Sequence, residues 1–554
     1  MSLHSKGIGP IPEETVRVAR AAFPKGNVSM GMRDVLGTIY EDARFAPLFG
    51  RRGRPTEAPW RLALITVMQF AEGLSDRQAA EAVRARIDWK YALGLPLTDA
   101  GFDFSVLSEF RARLVRGGAE QLLLEALLEV CRARGYLRAR GRQRTDSTHV
   151  LGALRVLNRL EQVAETMRAA LDALAVVAPD WLRAHTPAEW FERYGRRVEE
   201  YRLPQGREAR EAFTRQVGED GLQLLEALFA ATAPAALRTL PAVEVLRRTW
   251  IQRYVMWEGQ IRLRTPEEQP PAAEQLVSPY EAEARYATKR SASWVGYKVH
   301  LTETCDDDLP HLVTDVDTTV ATTQDVHQLG PIQERLVRRD LPPSEHIVDT
   351  GYVRTRNLVA SRQDNQIDLI SPVYEDHQWQ AQDPGGFDRS HFQIDWQAQV
   401  VTCPNGQRST VWSQYRTARQ RTQIQVRFAP AACTACPVRS RCTRAKAGPR
   451  NLTLRPRAEH DALLAARQRQ TTAAFRAQYA RRAGIEGTLS QGVRAFGLRR
   501  SRYRGLAKTH FQQVATAAAM NVSRLAQWWN GLRPVGTRCS PFAALAPQPI
   551  TAAP

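Results

Sequence analysis

Acidic residues, cysteines and long apolar runs are all scarce in this chain of 554 residues. The 58 Asp and Glu are outnumbered by 77 Lys and Arg, and a formal net charge of +19 favours a polyanionic partner, nucleic acid first. No apolar run approaches the roughly 20 residues that span a bilayer, and the first residues lack the apolar core of a signal peptide. The seven unevenly spaced cysteines do not resemble a secreted disulfide framework. We therefore expect a soluble, cytoplasmic protein of several domains.

The N-terminal region is patterned as helix throughout. Between residues 11 and 137 apolar residues recur three and four positions apart, and Ser75 stands where a helix cap is expected. The pattern predicts an all-helical N-terminal domain over residues 1–140. Short helices with tight polar turns suit a DNA-binding module of the helix-turn-helix kind, and they suit a plain helical bundle equally well.

A short strand follows, centred on Asp146. The run from Arg144 to Val150 is rich in β-branched residues, and its alternation puts Asp146, Thr148 and Val150 on one side. We take residues 141–150 as the first strand of a core domain. Residues 155–263 return to a helical pattern, and a Pro/Glu-rich stretch follows, so 151–291 is predicted to be a helical insertion with its linker. On its own, an acidic residue in a short strand is more often solvated than catalytic, so Asp146 needs other carboxylates beside it to indicate a catalytic site.

The period changes from 3.6 to 2 at residue 292, which indicates a β-rich core over residues 292–375. Two alternating segments, 295–304 and 311–320, predict a hairpin. A helix, a strand over 345–349, a second helix and a strand from Gln366 follow, which predicts a mixed sheet with helices able to cover both faces. Asp349 ends its strand at a Gly-containing turn, where it either lines a ligand crevice or only caps the turn.

A third carboxylate, Glu486, lies in the segment 458–530. Tyr479 and Arg482 precede it at spacings that place all three on one face of a helix, which is also the pattern of an ordinary charged helix. No Asp or Glu follows Glu486, and we expect the basic residues beyond it to contact DNA phosphates: Arg494, Arg499, Arg500, Arg502, Arg504 and Lys508. Residues 531–554 form a Pro/Ala-rich tail that is predicted to be disordered.

Four of the seven cysteines gather in the segment 376–457, namely Cys403, Cys433, Cys436 and Cys442. Cys433 and Cys436 form a C-x2-C pair among Pro and Gly turns, which is typical of a tetrahedral zinc site. The segment is therefore predicted to be a zinc-binding insertion with a structural Zn²⁺. The alternative is four free thiols.

Three blocks together carry a resemblance to a known family. The Asp146 strand, the turn Asp349-Thr350-Gly351-Tyr352 and the run Tyr479-x2-Arg482-x3-Glu486 resemble, in order and context, the signature blocks of bacterial insertion-sequence DDE transposases. The stretches Gly53-Arg54-Pro55, 72–78 and 104–111 are similar to the helical domain that precedes the catalytic domain in that family. Where the family usually has a lysine after the third block, this chain has Val493 and then Arg494.

The resemblance implies an α/β fold with an RNase H-like catalytic domain. It implies that Asp146, Asp349 and Glu486 hold two Mg²⁺ or Mn²⁺ ions, and that Tyr479 and Arg482 hold phosphates near the scissile bond. The reaction would cut element ends at their terminal inverted repeats and join them to target DNA, with a homodimer in the synaptic complex. Two other interpretations are a related nuclease or inactive derivative, and a zinc-containing DNA-binding regulator whose carboxylates are structural.

Overall fold

The fold is described from a computed structural model. It covers residues 2–3, 7–50, 52–53, 55–289, 291–418, 420–446, 448–533 and 545. Almost all of the tail predicted to be disordered, 531–554, lies outside the described residues. Among the helices of these residues, none has the length and apolarity needed to cross a membrane.

Helices alone make up the regular structure of the N-terminal region, as predicted. In its described residues they are α1 to α8: Glu13–Ala22, Val28–Leu36, Asp42–Phe45, Pro59–Glu72, Asp76–Ala85, Ile87–Leu93, Ser105–Arg116 and Leu122–Ala133. The predicted cap of α5 is confirmed, because the Ser75 side chain accepts a hydrogen bond from the Gln78 backbone and Gln78 bonds back to Ser75.

Asp76, the first residue of α5, anchors this helix to its neighbours. Its carboxylate accepts hydrogen bonds from Arg111 of α7, at 2.7 and 3.1 Å, and from Gln69 of α4, at 2.9 Å. Burial by itself would raise the pKa of Asp76, but these hydrogen bonds outweigh it and hold the pKa below its usual value. The ionised form is therefore the one that stabilises the fold.

We expect Asp76→Asn to lower the free energy of unfolding by about 1–3 kcal/mol at pH 7. A pKa lowered by folding stabilises the protein above the unfolded-state pKa, and that contribution is lost as the pH falls through the folded-state pKa. The difference between wild type and variant should therefore shrink below about pH 4. Urea unfolding at several pH values measures this difference in the free energy of unfolding. The exposed Glu81→Gln variant is the control. If the wild type and Asp76→Asn differ in free energy of unfolding by the same amount at pH 7 and pH 3.5, the ionised Asp76 carboxylate does not stabilise the fold.

The next segment contains β1 and the predicted helical insertion. It comprises β1 (Arg142–Leu151), α9 to α13 (Arg159–Val177, Pro179–His185, Ala188–Tyr194, Arg207–Phe229 and Pro241–Arg253), β2 (Tyr254–Trp257) and β3 (Gln260–Leu263). Buried Trp190, Tyr194 and Trp250 help to form the core of these helices. The helical prediction is wrong for 254–263, which is a β-hairpin. Glu258 and Gly259 both have positive φ, 50° and 77°, as a tight two-residue hairpin turn requires.

The predicted β-rich core follows in the expected order. It comprises β4 (Arg285–Lys289), β5 (Ala292–Thr304), β6 (Val313–Val320), α14 (Leu329–Arg338), β7 (Glu345–Val348), α15 (Thr355–Asp364) and β8 (Asp368–Ile370). The predicted hairpin is confirmed, since β5 and β6 pair antiparallel. Strand β4, which pairs with β5, lies in the stretch predicted to be insertion and linker.

The cysteine-containing segment forms small sheets, and helices follow it. The elements are α16 (Trp379–Gln382), β9 (Gln393–Asp395), β10 (Val400–Thr402), β11 (Val411–Arg416), β12 (Thr422–Arg427), α17 (Pro430–Thr434), α18 (Arg439–Cys442), β13 (Asn451–Leu454), α19 (Arg457–Gln470), α20 (Ala473–Ala480), α21 (Gly484–Phe496) and α22 (Leu506–Trp529). Strands β11, β12 and β13 form an antiparallel sheet, and β9 pairs with β10. Buried Phe392, Val426 and Phe428 belong to their shared core.

The chain divides into two compact units. The first comprises Met1–Arg138, Asp146–Thr323 and Ile485–Pro554, and the second comprises Ala139–Thr145 and Gln324–Gly484. In the second unit the first half of β1 pairs parallel with β7, and β7 pairs parallel with β8. In the first unit β5 pairs antiparallel with β4 and β6. The protein is therefore a mixed α/β fold with parallel and antiparallel strands, and β1 continues from one unit into the other between Thr145 and Asp146.

Candidate functional site

Two of the predicted carboxylates directly follow the paired residues of two neighbouring strands. Within the second unit, Arg142–Thr145 of β1 runs parallel to Glu345–Val348 of β7, with Thr145 opposite Val348. The next residue of each strand is an acid, Asp146 after Thr145 and Asp349 after Val348. The prediction that the strand 143–150 lies beside the strand 345–349 is confirmed for the part of β1 that belongs to this unit.

A buried polar network fixes this strand pairing. The His346 ring is fully buried, and its Nε2 lies 2.7 Å from the hydroxyl of Thr145 on the facing strand. Its Nδ1 lies 3.3 Å from the amide nitrogen of Gln333 in α14, and Gln333 accepts a hydrogen bond from Ser361 of α15 at 2.9 Å. Because buried polar groups need such partners, the network favours one register of β1 against β7.

Asp349 lies beside a basic residue that the sequence also singled out. Its side chain caps a 3₁₀ turn by accepting a hydrogen bond from the Gly351 backbone at 2.9 Å. Its other oxygen lies 3.8 Å from a guanidinium nitrogen of Arg482, within the same unit. The Arg482 side chain is only 17% exposed, so its charge is largely withdrawn from water. An arginine of the third signature block therefore lies beside the second predicted carboxylate.

Asp146 opens the part of β1 that belongs to the first unit. It is 7% exposed, and one carboxylate oxygen accepts a hydrogen bond from the Ser147 backbone at 2.7 Å. Two residues further on, the Thr148 hydroxyl accepts a hydrogen bond from Arg499 at 2.8 Å. A nearly buried carboxylate is costly to ionise unless it has polar or cationic partners, so Asp146 is not an ordinary surface acid.

The third block departs from its predicted geometry. Tyr479, Arg482 and Glu486 were expected on one continuous helix, but α20 ends at Ala480, a 3₁₀ turn spans Arg481–Ala483, and α21 begins at Gly484. The turn is fixed from β1, where Arg144 donates a hydrogen bond to the Arg481 carbonyl at 2.6 Å.

Gly484, the first residue of α21, lies against the Arg144 side chain. A Cβ on Gly484 would lie 2.1 Å from the Arg144 guanidinium, so a larger residue would displace that side chain. Sequence reasoning assigned no role to Arg144, which lies more than 300 positions from the turn that it holds. Glu486 lies in the first turn of α21 and is exposed, and Tyr479 stacks on Phe475 with ring centroids 5.8 Å apart.

The six basic residues beyond Glu486 run from the last turn of α21 to the first turn of α22 and form the basic segment of this chain. Some of their side chains contact other parts of the protein. Arg502 stacks over Phe70 and donates to the Leu74 carbonyl at 3.2 Å, and Arg504 lies over Tyr280. With Arg499 bonded to Thr148, three of the six predicted DNA-contacting side chains make contacts within the protein. The other three, Arg494, Arg500 and Lys508, are exposed, and so are Arg502 and Arg504.

Acidic residues lie beside this basic segment, although none follows Glu486 in the sequence. Glu283 accepts a hydrogen bond from the Leu506 backbone at 2.8 Å, and Glu281 accepts one from Gly505 at 3.0 Å, both at the start of α22. These two acids come from a segment more than 200 residues earlier in the sequence. Negative side chains at a helix N-terminus stabilise the helix through its dipole.

All four predicted zinc-ligating cysteines line one cavity of the second unit. The cavity has a volume of about 30 Å³ and is lined by Cys403, Cys433, Cys436 and Cys442 together with Phe392, Phe428 and Arg450 among others. Burial raises the pKa of the Cys442 thiol; Arg450 opposes this shift, and the three other cysteines add to it. The four sulfur atoms are therefore close enough to affect one another electrostatically.

The Arg439 side chain holds the backbone around these cysteines through hydrogen bonds. Arg439 donates hydrogen bonds to the carbonyls of Cys433, at 3.1 Å, and of Ala445 and Gly448, both at 3.0 Å. Within the residues that the model covers, however, no group of three or more His, Cys, Asp or Glu is arranged so that it could hold a metal ion. In the described residues, neither the cysteines nor the carboxylates are therefore arranged as a metal site in the absence of a metal ion.

Comparison with known proteins gives two family matches. Residues 402–526 match the family described as a transposase DDE domain, and residues 18–113 match the family described as a transposase domain (DUF772). The first match covers the four cysteines, Glu486 and most of α22, and the second covers most of the N-terminal helices. No curated protein and no solved structure matches the chain.

Proposed function

We propose that this chain, an insertion-sequence DDE transposase on the evidence of both family matches, cuts the ends of its own element and joins them to target DNA. The observation that carries this proposal is the register of β1 against β7. In this register Asp146 and Asp349 directly follow the last paired residues, Thr145 of β1 and Val348 of β7. We propose that the sheet is the core of an RNase H-like catalytic domain.

Asp146, Asp349 and Glu486 are the residues that we propose to hold two Mg²⁺ or Mn²⁺ ions. Carboxylate oxygens are the ligands that Mg²⁺ prefers, and a few of them suffice when substrate phosphate and water complete the coordination. Two such ions activate a nucleophile and stabilise the leaving oxyanion in phosphodiester cleavage. The parallel pairing of β1 with β7 supports this donor set, because Asp146 and Asp349 directly follow the paired residues of these two neighbouring strands.

Arg482 and Tyr479 are proposed to hold DNA phosphates. The guanidinium of Arg482 already lies near a carboxylate, and its planar fork binds a phosphate by two parallel hydrogen bonds. The aromatic pair of Phe475 and Tyr479 gives the tyrosine a fixed orientation. Among the basic residues after Glu486, the exposed Arg494, Arg500 and Lys508 are the ones we propose to contact the DNA backbone directly.

We propose that Arg499, Arg502 and Arg504 act differently from those three. Their side chains hold the segment in place, through Thr148, Phe70 and Tyr280 respectively. We therefore propose that these three arginines attract DNA through the positive potential of the segment and do not bind phosphates directly. The partners that we propose are the terminal inverted repeats, target DNA and a second copy of the chain, in the bacterial cytoplasm.

A structural Zn²⁺ in the cysteine cavity is the second proposed cofactor. Thiolates are suitable ligands for zinc, and structural zinc sites are closed and four-coordinate. The supporting observation is that four cysteines line a single cavity although they come from the residue after β10, from α17, from α18 and from the segment between these two helices. We propose that metal binding draws the four sulfurs together, and that the bound ion ties the short strands β9 to β13 into a stable unit.

The function is tested by strand cleavage with purified full-length protein. The substrate is a DNA duplex carrying one end of the element that encodes the chain, and the control is a duplex of the same length with a scrambled end. We expect Mg²⁺-dependent nicking at the element end only. Cleavage of both duplexes alike would favour a general nuclease, and tight binding without cleavage would favour the DNA-binding regulator.

A further inference from the structure

A buried ion pair lies directly beneath the helix that carries Glu486. Glu303, near the end of β5, is fully buried. Its carboxylate accepts hydrogen bonds from Arg524 of α22, at 2.7 Å, and from the hydroxyl of Thr488 in α21, at 2.5 Å. Arg524 also donates to Thr488 at 2.6 Å, which closes a three-membered network within the first unit. Thr488 is only two residues beyond Glu486.

The same arginine contacts α21 a second time. Arg524 donates to the side-chain oxygen of Gln491 at 2.9 Å and to the His311 carbonyl at 2.7 Å. Thr488 and Gln491 are three residues apart, so both lie on the same face of α21. Arg524 therefore connects this face of α21 to the hairpin of β5 and β6.

Helix α22 is itself held in place on that hairpin. Asn521, one turn before Arg524, is fully buried, and its amide exchanges two hydrogen bonds with the backbone of Val313, at 2.7 and 2.8 Å. The side chain thereby fixes both the position and the rotation of α22 against β6. Since α22 cannot turn without breaking these bonds, it presents Arg524 to α21 from a fixed position.

We propose that Glu303, acting through Thr488 and Arg524, is a positioning residue that fixes the first turn of α21 and with it the carboxylate of Glu486. This inference rests on the proposed function, in which Glu486 contributes to metal binding. Displacing a reacting group by about 1 Å can lower a reaction rate on the order of 10²-fold, so a rigid support beneath Glu486 has a direct chemical effect. Removal of one partner leaves a buried charge unsatisfied and loosens the helix.

The test compares Thr488→Val with Thr488→Ser in the full-length protein. Valine keeps the shape of threonine but removes the hydroxyl, whereas serine keeps it. We expect Thr488→Val to raise the Mg²⁺ concentration for half-maximal strand cleavage and to lower the maximal rate by about tenfold or more. Hydrogen exchange of residues 484–496 should become faster in this variant. Thr488→Ser should keep both the cleavage behaviour and the hydrogen exchange of these residues near the wild-type values.

Glu165→Gln is the matched control. Glu165 is an equally buried carboxylate of the first unit, paired with Arg168 at 3.0 Å in the helical insertion. We expect this variant to lose stability while keeping the wild-type Mg²⁺ dependence and the wild-type exchange in α21. If Thr488→Val leaves exchange in α21 unchanged, or speeds it without altering Mg²⁺ dependence, the positioning role is refuted. If wild type and Glu486→Gln cleave equally, the proposed function itself fails, and the positioning role fails with it.

Discussion

Replacing any one of the three carboxylates should nearly abolish strand cleavage. We expect Asp146→Asn, Asp349→Asn and Glu486→Gln each to lower the Mg²⁺-dependent cleavage rate at least about 10³-fold, since a catalytic metal contributes several kcal/mol to transition-state stabilisation. Each change keeps the size of the side chain and removes its charge. Binding of the element end should remain, because phosphate contacts by basic residues supply most of that affinity.

Asp368→Asn is the control for these variants. Asp368 lies in β8, in the same unit as Asp349, and pairs with Arg469 through two hydrogen bonds at 2.7 and 2.8 Å. Its carboxylate is half exposed, so we expect cleavage within about twofold of wild type, because exposed ion pairs contribute little. Cleavage by Asp349→Asn at the rate of this control would show that Asp349 is a turn cap and no more.

The cysteine cavity gives the second large effect. We expect wild-type protein to contain one zinc ion per chain, and Cys436→Ser or Cys442→Ser to contain almost none. Because zinc binding contributes about 10–16 kcal/mol in small structural sites, loss of the ion should cost several kcal/mol of folding free energy. Metal analysis and limited proteolysis of residues 376–457 measure the two consequences separately.

Cys131→Ala separates loss of zinc from loss of a buried thiol. Cys131 is fully buried in α8, and burial raises its thiol pKa to about 12, so it serves as an inert core residue. This variant should lose stability and keep its zinc. Wild-type protein without zinc, in which all four cavity thiols react rapidly with an alkylating reagent, would refute the zinc site.

Local patterns were sufficient to predict much of the fold. The hairpin of β5 and β6, the strand β7 and its Asp349 turn were predicted because alternating residues and turn residues encode them over a few positions. The hairpin of β2 and β3 was mistaken for helix, because its strands have only four residues each and continue the apolar pattern of α13. The strands β9 to β13 have three to six residues, which is too few for a clear alternation.

Contacts between distant segments could not be predicted from one sequence. Gly484 packs against Arg144, a residue more than 300 positions earlier, whose side chain occupies the space that a Cβ at Gly484 would need. The acids beside the start of α22, Glu281 and Glu283, come from a segment without any helical or strand pattern. The pairing of Glu303 with Arg524 likewise joins residues more than 200 positions apart. The spacing of residue types along the sequence predicts which side chains are neighbours within one helix or strand. It does not predict contacts between segments that are distant in the sequence.

Iron-directed cleavage of the protein tests the central claim most directly. Fe²⁺ bound in place of Mg²⁺ generates hydroxyl radicals with peroxide and cuts the polypeptide near its ligands. We predict cuts close to Asp146, Asp349 and Glu486, suppressed by excess Mg²⁺ and lost together in Asp349→Asn. Cutting at only one of these three segments, or cutting that Mg²⁺ does not suppress, would contradict a shared metal site.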